Sequence, residues 1–402
     1  MTGARPAPSP LARHWAHDPA VVFLNHGSFG SAPTAVLEAQ RALQARLQAE
    51  PVRFVVEEQE GLLDEARAAV SAFVGADPDD LAFVPNATAA VNTVVQSLRL
   101  GSGDEVLATS HEYNACLNVM RVASEHGGPR LVVVDVPFPV AGPDAVLDAV
   151  LAAVTPRTRL ALVSHVTSPT ALVLPVERIV PALAARGVDT LVDGAHVPGM
   201  LPLEVRTLGA AYYAGNLHKW VCTPPGCAFL HVRRDRQRDV RPLVISHGAN
   251  SPRTDRSRFR LEFDYTGFVD PTAWLAAPAA LRAMEALVPG GWPEVMRRNR
   301  ALACEAQTLL CEALGTVPPA PATMLGSMAA VPLPDRAATD AARPSRYHDA
   351  LQDALIARWG IQVPIVPFPV HPRRLVRVSA QLYNSRAQFE YLACALRAEL
   401  GL

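Results

Sequence analysis

Short apolar segments alternate with segments of helical periodicity from about residue 80 to residue 232. The apolar segments have the length of buried strands, about four to eight residues. They are LAFVP (81–85), DEVLAT (104–109), RLVVVDV (130–136), RLALVSHV (159–166), DTLVDGA (189–195), AAYYAG (210–215) and GCAFLHV (226–232). Segments such as AAVNTVVQSL and ERIVPALAARG lie between them and carry the helical period. This alternation predicts an α/β fold, with βαβ units and a mostly parallel sheet covered on both faces.

Helical patterns flank this block on both sides. Before it are PTAVLEAQRALQARLQAE and EEQEGLLDEARAAVSAFVG, and after it are PTAWLAAPAALRAMEAL and WPEVMRRNRALACEAQTLLCEAL. The final stretch, with GSMAAVPLP, GIQVPIVPFP and RLVRVSAQLY, predicts short strands around a helix over 345–359. We therefore predict a mobile N-terminal arm over residues 1–20, a large domain over 21–275 and a smaller α+β domain over 276–402.

Charge and cysteine content narrow the class of protein. The formal net charge is −1, which argues against a partner such as nucleic acid or a membrane surface. No apolar run approaches the length of a membrane span. The six cysteines are scattered along the chain, which predicts a reduced, cytoplasmic protein. No metal site is expected, because Cys222 and Cys227 have no second pair of ligands.

The segment GNLHKW (215–220) raises a chemical question. Lysine and arginine together number 37, and Lys219 is the single lysine among them. A guanidinium stays protonated and cannot form an imine, whereas a desolvated lysine amine can form a Schiff base with a carbonyl. The residue alone leaves two interpretations open: an imine-forming lysine, or one leftover surface lysine in an arginine-rich protein.

Three further groups follow predicted strands, at the carboxyl ends where parallel α/β sheets bind ligands. Ala87 and Thr88 in VPNATAAVN (84–92) begin a helix, whose N-terminus is a ready anion site. Asp193 ends the strand TLVD, and His196 follows three residues later. Together with the lysine, these groups match the needs of pyridoxal 5′-phosphate: a phosphate site, a partner for the pyridinium nitrogen, a partner for O3′ and an imine lysine.

Motifs along most of the chain carry a specific resemblance. They are FLNHGSFGSAP, EPVRFV, NATAAVN, HEYNA, VDGAHVPG, GNLHKW, YTGFVDPT and VRVSAQLYN, in this order from about residue 23 to 384. The sequence resembles the class V aminotransferase family of fold type I pyridoxal-phosphate enzymes, and within it the isopenicillin N epimerase-like proteins. The resemblance implies the fold type I transferase architecture, an amino-acid substrate and a homodimer with shared active sites.

The resemblance also implies roles in cofactor binding. Lys219 would form the Schiff base. The other implied cofactor-binding residues are Asp193 for the pyridinium nitrogen, His196 for O3′, and Ala87, Thr88, Asn216 and His218 for the phosphate. Either His111 or Tyr113 of HEYNA would lie over the cofactor ring and serve as a catalytic acid, and the sequence does not decide between them.

Substrate binding would involve the two ends of the chain. Arg377 in VRVSAQLYN would pair with the substrate α-carboxylate, a bidentate task that suits a guanidinium. The resemblance implies that Asn25, His26 and Arg53 line the substrate entrance, with Arg53 reaching in from a partner subunit. The motif YTGFVDPT departs from the family's pattern at one position. Phe268 stands where members of the family often have a threonine that contacts the phosphate of the neighbouring subunit. Thr266 is the candidate substitute in this loop.

The reaction remains open at this stage. The resemblance favours epimerisation at Cα, with C–S lysis or amino transfer on the same fold as alternatives and a non-catalytic sensor or scaffold as a remote one. A nicotinamide dehydrogenase is not expected, because GSGDE (101–105) precedes a strand instead of following one. Sulfur transfer through a persulfide is not expected either, because the segment before Arg377 contains no cysteine.

Overall fold

Seven strands form the main sheet in the computed structural model, which describes residues 5–335 and 349–402. They are β2 (Leu81–Val84), β3 (Glu105–Thr109), β4 (Arg130–Val134), β5 (Thr158–Ser164), β6 (Asp189–Asp193), β7 (Tyr212–Asn216) and β8 (Ala228–Val232), after a short β1 (Val22–Phe23). Their order is β2-β8-β7-β6-β5-β3-β4. Each of the seven segments predicted as strands is a strand of this sheet.

The strand directions place the carboxyl ends of several strands at one edge of the main sheet. Pairs among β3, β4, β5, β6 and β7 are parallel, whereas β8 is antiparallel to both β7 and β2. The mostly parallel sheet is therefore confirmed, and β2 points in the same direction as β7. The carboxyl ends of β2, β5, β6 and β7 consequently lie at the same edge, where open α/β sheets bind ligands.

Helices cover the sheet and continue beyond it. Their bounds are α1 (His26–Phe29), α2 (Thr34–Ala49), α3 (Pro51–Arg53), α4 (Gln59–Val74), α5 (Ala87–Ser97), α6 (Asn114–Glu125), α7 (Pro143–Ala152), α8 (Val176–Ala184), α9 (Val205–Leu208), α10 (Arg258–Phe263), α11 (Thr272–Leu275), α12 (Ala277–Glu285), α13 (Gly291–Leu314), α14 (Ala350–Ala354) and α15 (Arg386–Leu400). Local signals define several ends: Asn86 caps α5, Gly75 ends α4 in the left-handed region, and Ser385 and Gln388 form a capping box on α15.

The C-terminal part of the chain forms a smaller sheet. Its strands are β9 (Met328–Leu333), β11 (Ile365–Pro367) and β12 (Arg374–Ser379), in the order β11-β12-β9, while β10 (Ile361–Gln362) pairs with β1. Helices α13 and α15 pack together, and α13 covers β9. The helix predicted over 345–359 is found as α14 followed by one π-helical turn over Leu355–Trp359, and residues 345–348 lie outside the described residues.

The N-terminal arm makes contacts that its Pro/Ala-rich composition did not indicate. Pro10–His14 form a 3₁₀ turn, and the Trp15 ring is buried with its edge against Tyr383. The mobility expected for the arm stays a prediction. Moreover, β1 pairs with Ile361–Gln362 in a separate two-stranded sheet, so this part of the predicted large domain is joined to the C-terminal part of the chain.

Candidate active site

A cavity of about 620 Å³ lies at the carboxyl edge of the main sheet. Ser164, Asp193 and Asn216 are the last residues of β5, β6 and β7, and all three line it. The remaining lining residues come from the starts of α1, α5 and α6, from the loops after β5, β6 and β7, and from β12. Among them are Ser28, Phe29, Ala87, Thr88, Tyr113, Ser168, His196, His218, Lys219 and Arg377. The cavity thus brings together residues separated by as much as 350 positions in the chain.

Lys219 reaches the cavity from the turn after β7. Its Nζ atom lies 3.1 Å from Nε2 of His196. The side chain keeps some solvent access through the cavity but lies deep in the protein. Burial, reinforced by the nearby Arg377 guanidinium, lowers the pKa of Lys219 to about 7 against the opposing effect of Asp193. An amine with this pKa is neutral in a large fraction of molecules near pH 7, as imine chemistry requires.

Asp193 and His196 are buried groups with unused bonding capacity. The Asp193 carboxylate accepts hydrogen bonds from the Ala195 N–H at 3.0 Å and the Cys116 thiol at 3.4 Å. Burial raises the Asp193 pKa against the opposing effect of the nearby Lys219. His196 Nδ1 is buried without a hydrogen-bond partner, and burial holds its pKa well below the usual range. Both groups therefore suit a polar ligand that supplies a cation and a hydrogen-bonding oxygen.

The N-terminus of α5 faces the same cavity. Asn86 Oδ1 accepts the Ala89 N–H at 2.8 Å and so caps the helix. Asn216 Oδ1 accepts the Ala87 N–H at 2.8 Å, which ties the start of the helix to the end of β7. Thr88, the second residue of the helix, lines the cavity at a helix end that favours anions.

Arg377 is a buried guanidinium without a carboxylate partner in the part of the chain that the structure describes. Nη1 donates to the Ser168 carbonyl at 2.7 Å, and Nη2 donates to Ser28 Oγ at 2.8 Å. Its Nε atom has no partner. Burial lowers the Arg377 pKa to about 10. A buried cation held only by neutral groups is suited to pair with a carboxylate that enters the cavity.

The HEYNA segment answers one question that the sequence left open. Tyr113 lines the cavity and is 46% exposed, so its hydroxyl is accessible from the cavity mouth. The His111 ring is buried away from it, bonded through Nδ1 to Thr170 and through Nε2 to the Val136 carbonyl. Burial lowers the His111 pKa to about 4. Of the two candidates, only Tyr113 is placed to meet a ligand.

Three residues predicted at the entrance do not line the cavity. Asn25 lies behind Arg377, with its Oδ1 at 3.4 Å from Nη2. His26 is fully buried beneath Lys219. Arg53 lies on the surface in ion pairs with Glu50 and Glu58. Their proposed contacts with substrate stay predictions.

The loop of the motif YTGFVDPT lies beside the cavity. The Phe268 side chain is largely exposed, and Thr266 lines a second, apolar groove that shares Pro85 and Gly226 with the cavity. Whether this loop contacts a neighbouring subunit stays a prediction, because the structure contains one chain.

Sequence reasoning missed several residues that support the site. Ser28 and Ser168 hold Arg377, and Glu112 bonds to Thr109 and to Ser164 between the ends of β3 and β5. Burial raises the Glu112 pKa to about 7. Ser28 and Glu112 lie within quoted motifs, which were the available signal, whereas Ser168 had none.

These features fit pyridoxal 5′-phosphate. The buried carboxylate, the imidazole nitrogen without a partner, the helix N-terminus and the amine of lowered pKa lie around one cavity. By contrast, a search of the described residues finds no group of His, Cys, Asp and Glu that could hold a metal ion. No helix described in the structure is long and apolar enough to cross a membrane.

Comparison with known proteins identifies the family. The family model for aminotransferase class-V matches residues 22–392. The chain is 36% identical to the isopenicillin N epimerase of Streptomyces clavuligerus, over 96% of each chain. It is 28% identical to an L-cysteine desulfhydrase of Arabidopsis thaliana, over 94% of this chain and 88% of the relative. The cystine C–S lyase C-DES shares the fold, with a TM-score of 0.77 at 22% identity over 94% and 97% of the chains. The chain therefore belongs to the aminotransferase class-V family of pyridoxal-phosphate enzymes.

Proposed function

We propose that this enzyme epimerises an amino acid or an amino-acid-derived substrate at Cα, with pyridoxal 5′-phosphate bound through a Schiff base at Lys219. One observation carries the proposal: Lys219 and Tyr113, two groups able to move protons, line one cavity with the carboxylate-binding candidate Arg377. The similarity to an isopenicillin N epimerase over nearly the whole of both chains supports the choice of reaction.

Several groups of the chain would hold the cofactor. Asp193 would pair with the pyridine nitrogen, and the free Nδ1 of His196 would bond the phenolic oxygen. The N-terminus of α5 at Ala87 and Thr88, with His218 nearby, would hold the phosphate. When bound, the cofactor supplies an electron sink for charge that develops at the substrate Cα.

Proton transfer follows from the positions of two side chains. Arg377 would fix the substrate carboxylate, and the surrounding Ser28 and Ser168 hold its guanidinium in place. Once the substrate amine has replaced it in the Schiff base, the freed Lys219 amine, whose pKa is about 7 in the cofactor-free protein, can accept the Cα proton at Nζ. The Tyr113 hydroxyl would return a proton to Cα. Inversion results if the two groups act on opposite faces, and the net reaction needs no oxidant or reductant.

A second candidate is C–S lysis of a cysteine-like substrate. The similarity to an L-cysteine desulfhydrase over most of both chains favours it specifically. In that reaction Tyr113 would protonate the leaving sulfur while Lys219 removes the Cα proton. A persulfide on the enzyme is not proposed, because the described residues that line the cavity include no cysteine.

Isotope exchange separates the candidate reactions. The enzyme would be incubated with L-amino acids in deuterated water, and Cα deuteration, chirality, pyruvate release and keto-acid formation would be followed separately. Epimerisation predicts deuterium at Cα with formation of the D-isomer and no pyruvate. Pyruvate with sulfide from L-cysteine would establish the lyase instead, and stoichiometric conversion to a keto acid with amino transfer would establish an aminotransferase.

We further propose a homodimer that shares its active sites. Exposed apolar side chains at Leu243, Val244 and Val269 line the groove beside the cavity, and the groove and the cavity share Pro85 and Gly226. Exposed contiguous apolar surface of this kind marks an interaction site. A second copy placed there would adjoin the cavity mouth.

We also propose that the enzyme works in the cytoplasm. Four of its six free cysteines, Cys116, Cys222, Cys227 and Cys311, are buried, and burial raises the pKa of each thiol. Such thiols are inert packing groups, as is usual in a reducing compartment.

A further inference from the structure

The imidazole of His26 lies directly beneath the main chain of the site. Its Nε2 atom is 2.9 Å from the carbonyl oxygen of Lys219, and its Nδ1 atom is 2.9 Å from the Tyr383 hydroxyl. The ring is fully buried, and burial lowers its pKa to about 3, so it is neutral. Both ring nitrogens therefore have hydrogen-bond partners inside the protein.

Hydrogen-bond chemistry fixes the tautomer of His26. A carbonyl oxygen can only accept, so the proton of the neutral ring must be on Nε2 and point at Lys219. Nδ1 is then an acceptor, and the Tyr383 O–H must donate to it. The Tyr383 ring is held in turn by edge contacts with Trp15 and His17. The N-terminal arm thus supports a chain of hydrogen bonds that runs from Tyr383 through His26 to the backbone carbonyl of Lys219.

The segment Asn25–Gly30 also packs against this turn without space to spare. Gly30 has φ +74°, and a Cβ added to it would lie 1.8 Å from the His218 carbonyl oxygen. The Lys219 carbonyl accepts a second bond from the Cys222 N–H at 3.1 Å, within its own turn. His26 is consequently the lateral anchor of the turn, whereas Cys222 closes it locally.

We propose that His26 is a positioning residue that holds the Lys219 backbone, and with it the direction from which Nζ approaches the cofactor carbonyl. Tyr383 acts one step further away, by fixing the tautomer of His26. This inference rests on the proposed role of Lys219 and deepens it. It gives His26 a role that differs from the entrance role predicted from the sequence.

The test measures how fast Lys219 captures the cofactor. Full-length protein stripped of cofactor is mixed with saturating pyridoxal phosphate, quenched with borohydride at intervals, and digested to quantify the labelled Lys219 peptide. His26→Gln keeps an N–H near the Nε2 position, whereas His26→Asn places its amide near Nδ1 and loses the bond to Lys219. We expect the limiting rate to fall about tenfold in His26→Asn and to stay within about twofold in His26→Gln, because small misplacements of reacting groups are costly in rate.

Melting temperature separates positioning from packing. The proposal would be overturned if His26→Asn captured the cofactor as fast as the native protein. It would also be overturned if His26→Asn and His26→Gln were slowed equally and in proportion to their loss of melting temperature. If the native protein captures no cofactor at Lys219, the proposed function itself fails, which is a different result.

A second pair of variants keeps the test independent of His26 folding defects. Tyr383→Phe retains the ring contacts and deletes the hydroxyl that donates to Nδ1, so we expect slower capture in the same direction. Tyr391→Phe deletes a matched hydroxyl that bonds the Trp359 carbonyl elsewhere, and it should capture at the native rate. An unchanged capture rate in Tyr383→Phe would show that Tyr383 does not act through His26.

Discussion

The Nζ atom of Lys219 lies 3.1 Å from Nε2 of His196, and both groups hold their protons less tightly than usual. Burial lowers the pKa of both, and the Arg377 guanidinium lowers that of Lys219 further. A neutral amine beside a neutral imidazole is the state in which the lysine can attack a carbonyl. The same relationship predicts how stability changes with pH.

The cofactor-free protein should become more stable as the pH rises from 7 to 9. The folded-state pKa of Lys219 is about 7, below its ordinary value of 10.5, so the unfolded chain binds more protons between these values. Stability then rises by at most about 1.4 kcal/mol per pH unit. Urea unfolding of the native protein and of Lys219→Met across this range isolates the contribution. Parallel stability curves would show that the lysine titrates normally.

Removal of the Tyr113 hydroxyl should separate cofactor binding from catalysis. Tyr113→Phe keeps the ring at the cavity mouth and deletes only the proton donor, so turnover should fall roughly 10²–10⁴-fold, the usual contribution of general acid catalysis. The visible absorbance of the bound cofactor should stay unchanged. Turnover within a few-fold of native would mean that the ring only stacks.

Loss of the Arg377 guanidinium should weaken amino-acid binding selectively. Arg377→Ala should cost about 2–5 kcal/mol in binding, because the substrate carboxylate would lose its partner in a buried site. The cofactor spectrum should be retained. Arg374→Ala is the matched control, since Arg374 is a partly buried arginine of the same strand and pairs with Asp349 outside the cavity.

A comparison of substrates completes this test. The native enzyme should bind an amino acid far more tightly than the corresponding decarboxylated amine, and Arg377→Ala should remove most of that difference. Equal affinities in the native enzyme would exclude Arg377 from the carboxylate role.

Local patterns were sufficient to predict the sheet and the edge that carries the site. Asp193 and Asn216 follow apolar runs whose direction and order determine that the strand ends meet, so their convergence could be deduced before any coordinates. The single lysine, Lys219, indicated that the site forms a Schiff base. The predicted strand bounds differ from the observed ones by a few residues at most. Buried parallel strands form continuous apolar runs, and such runs are easy to locate in a sequence.

Side-chain direction after a strand could not be predicted. His111 and Tyr113 are two residues apart in HEYNA, and only the turn geometry sends the first into the core and the second to the cavity. The partners of His26 could not be predicted for a related reason. A motif match gives the neighbourhood of a residue, whereas its partners, here Tyr383 from the other end of the chain, arise only in the tertiary structure.

A charge placed in the apolar groove should dissociate the proposed dimer. Val244→Glu buries a carboxylate if two copies meet there, which is strongly unfavourable. We expect sedimentation at micromolar concentration to give about twice 43.0 kDa for the native protein and a shift toward 43.0 kDa for the variant. Val317→Glu is the control, since Val317 is also largely exposed, 70% against 58% for Val244, but lies outside the groove. A native monomer that turns over substrate would contradict the shared site.

Borohydride reduction of the holoenzyme, followed by peptide mass analysis, tests the central claim most directly. Because the chain has a single lysine, the reduced cofactor should appear on one lysyl peptide, that of Lys219, and on no other. Lys219→Arg should keep the charge yet give no label and no turnover, since a guanidinium cannot form the imine. Label confined to the α-amine, or turnover retained in Lys219→Arg, would contradict the account.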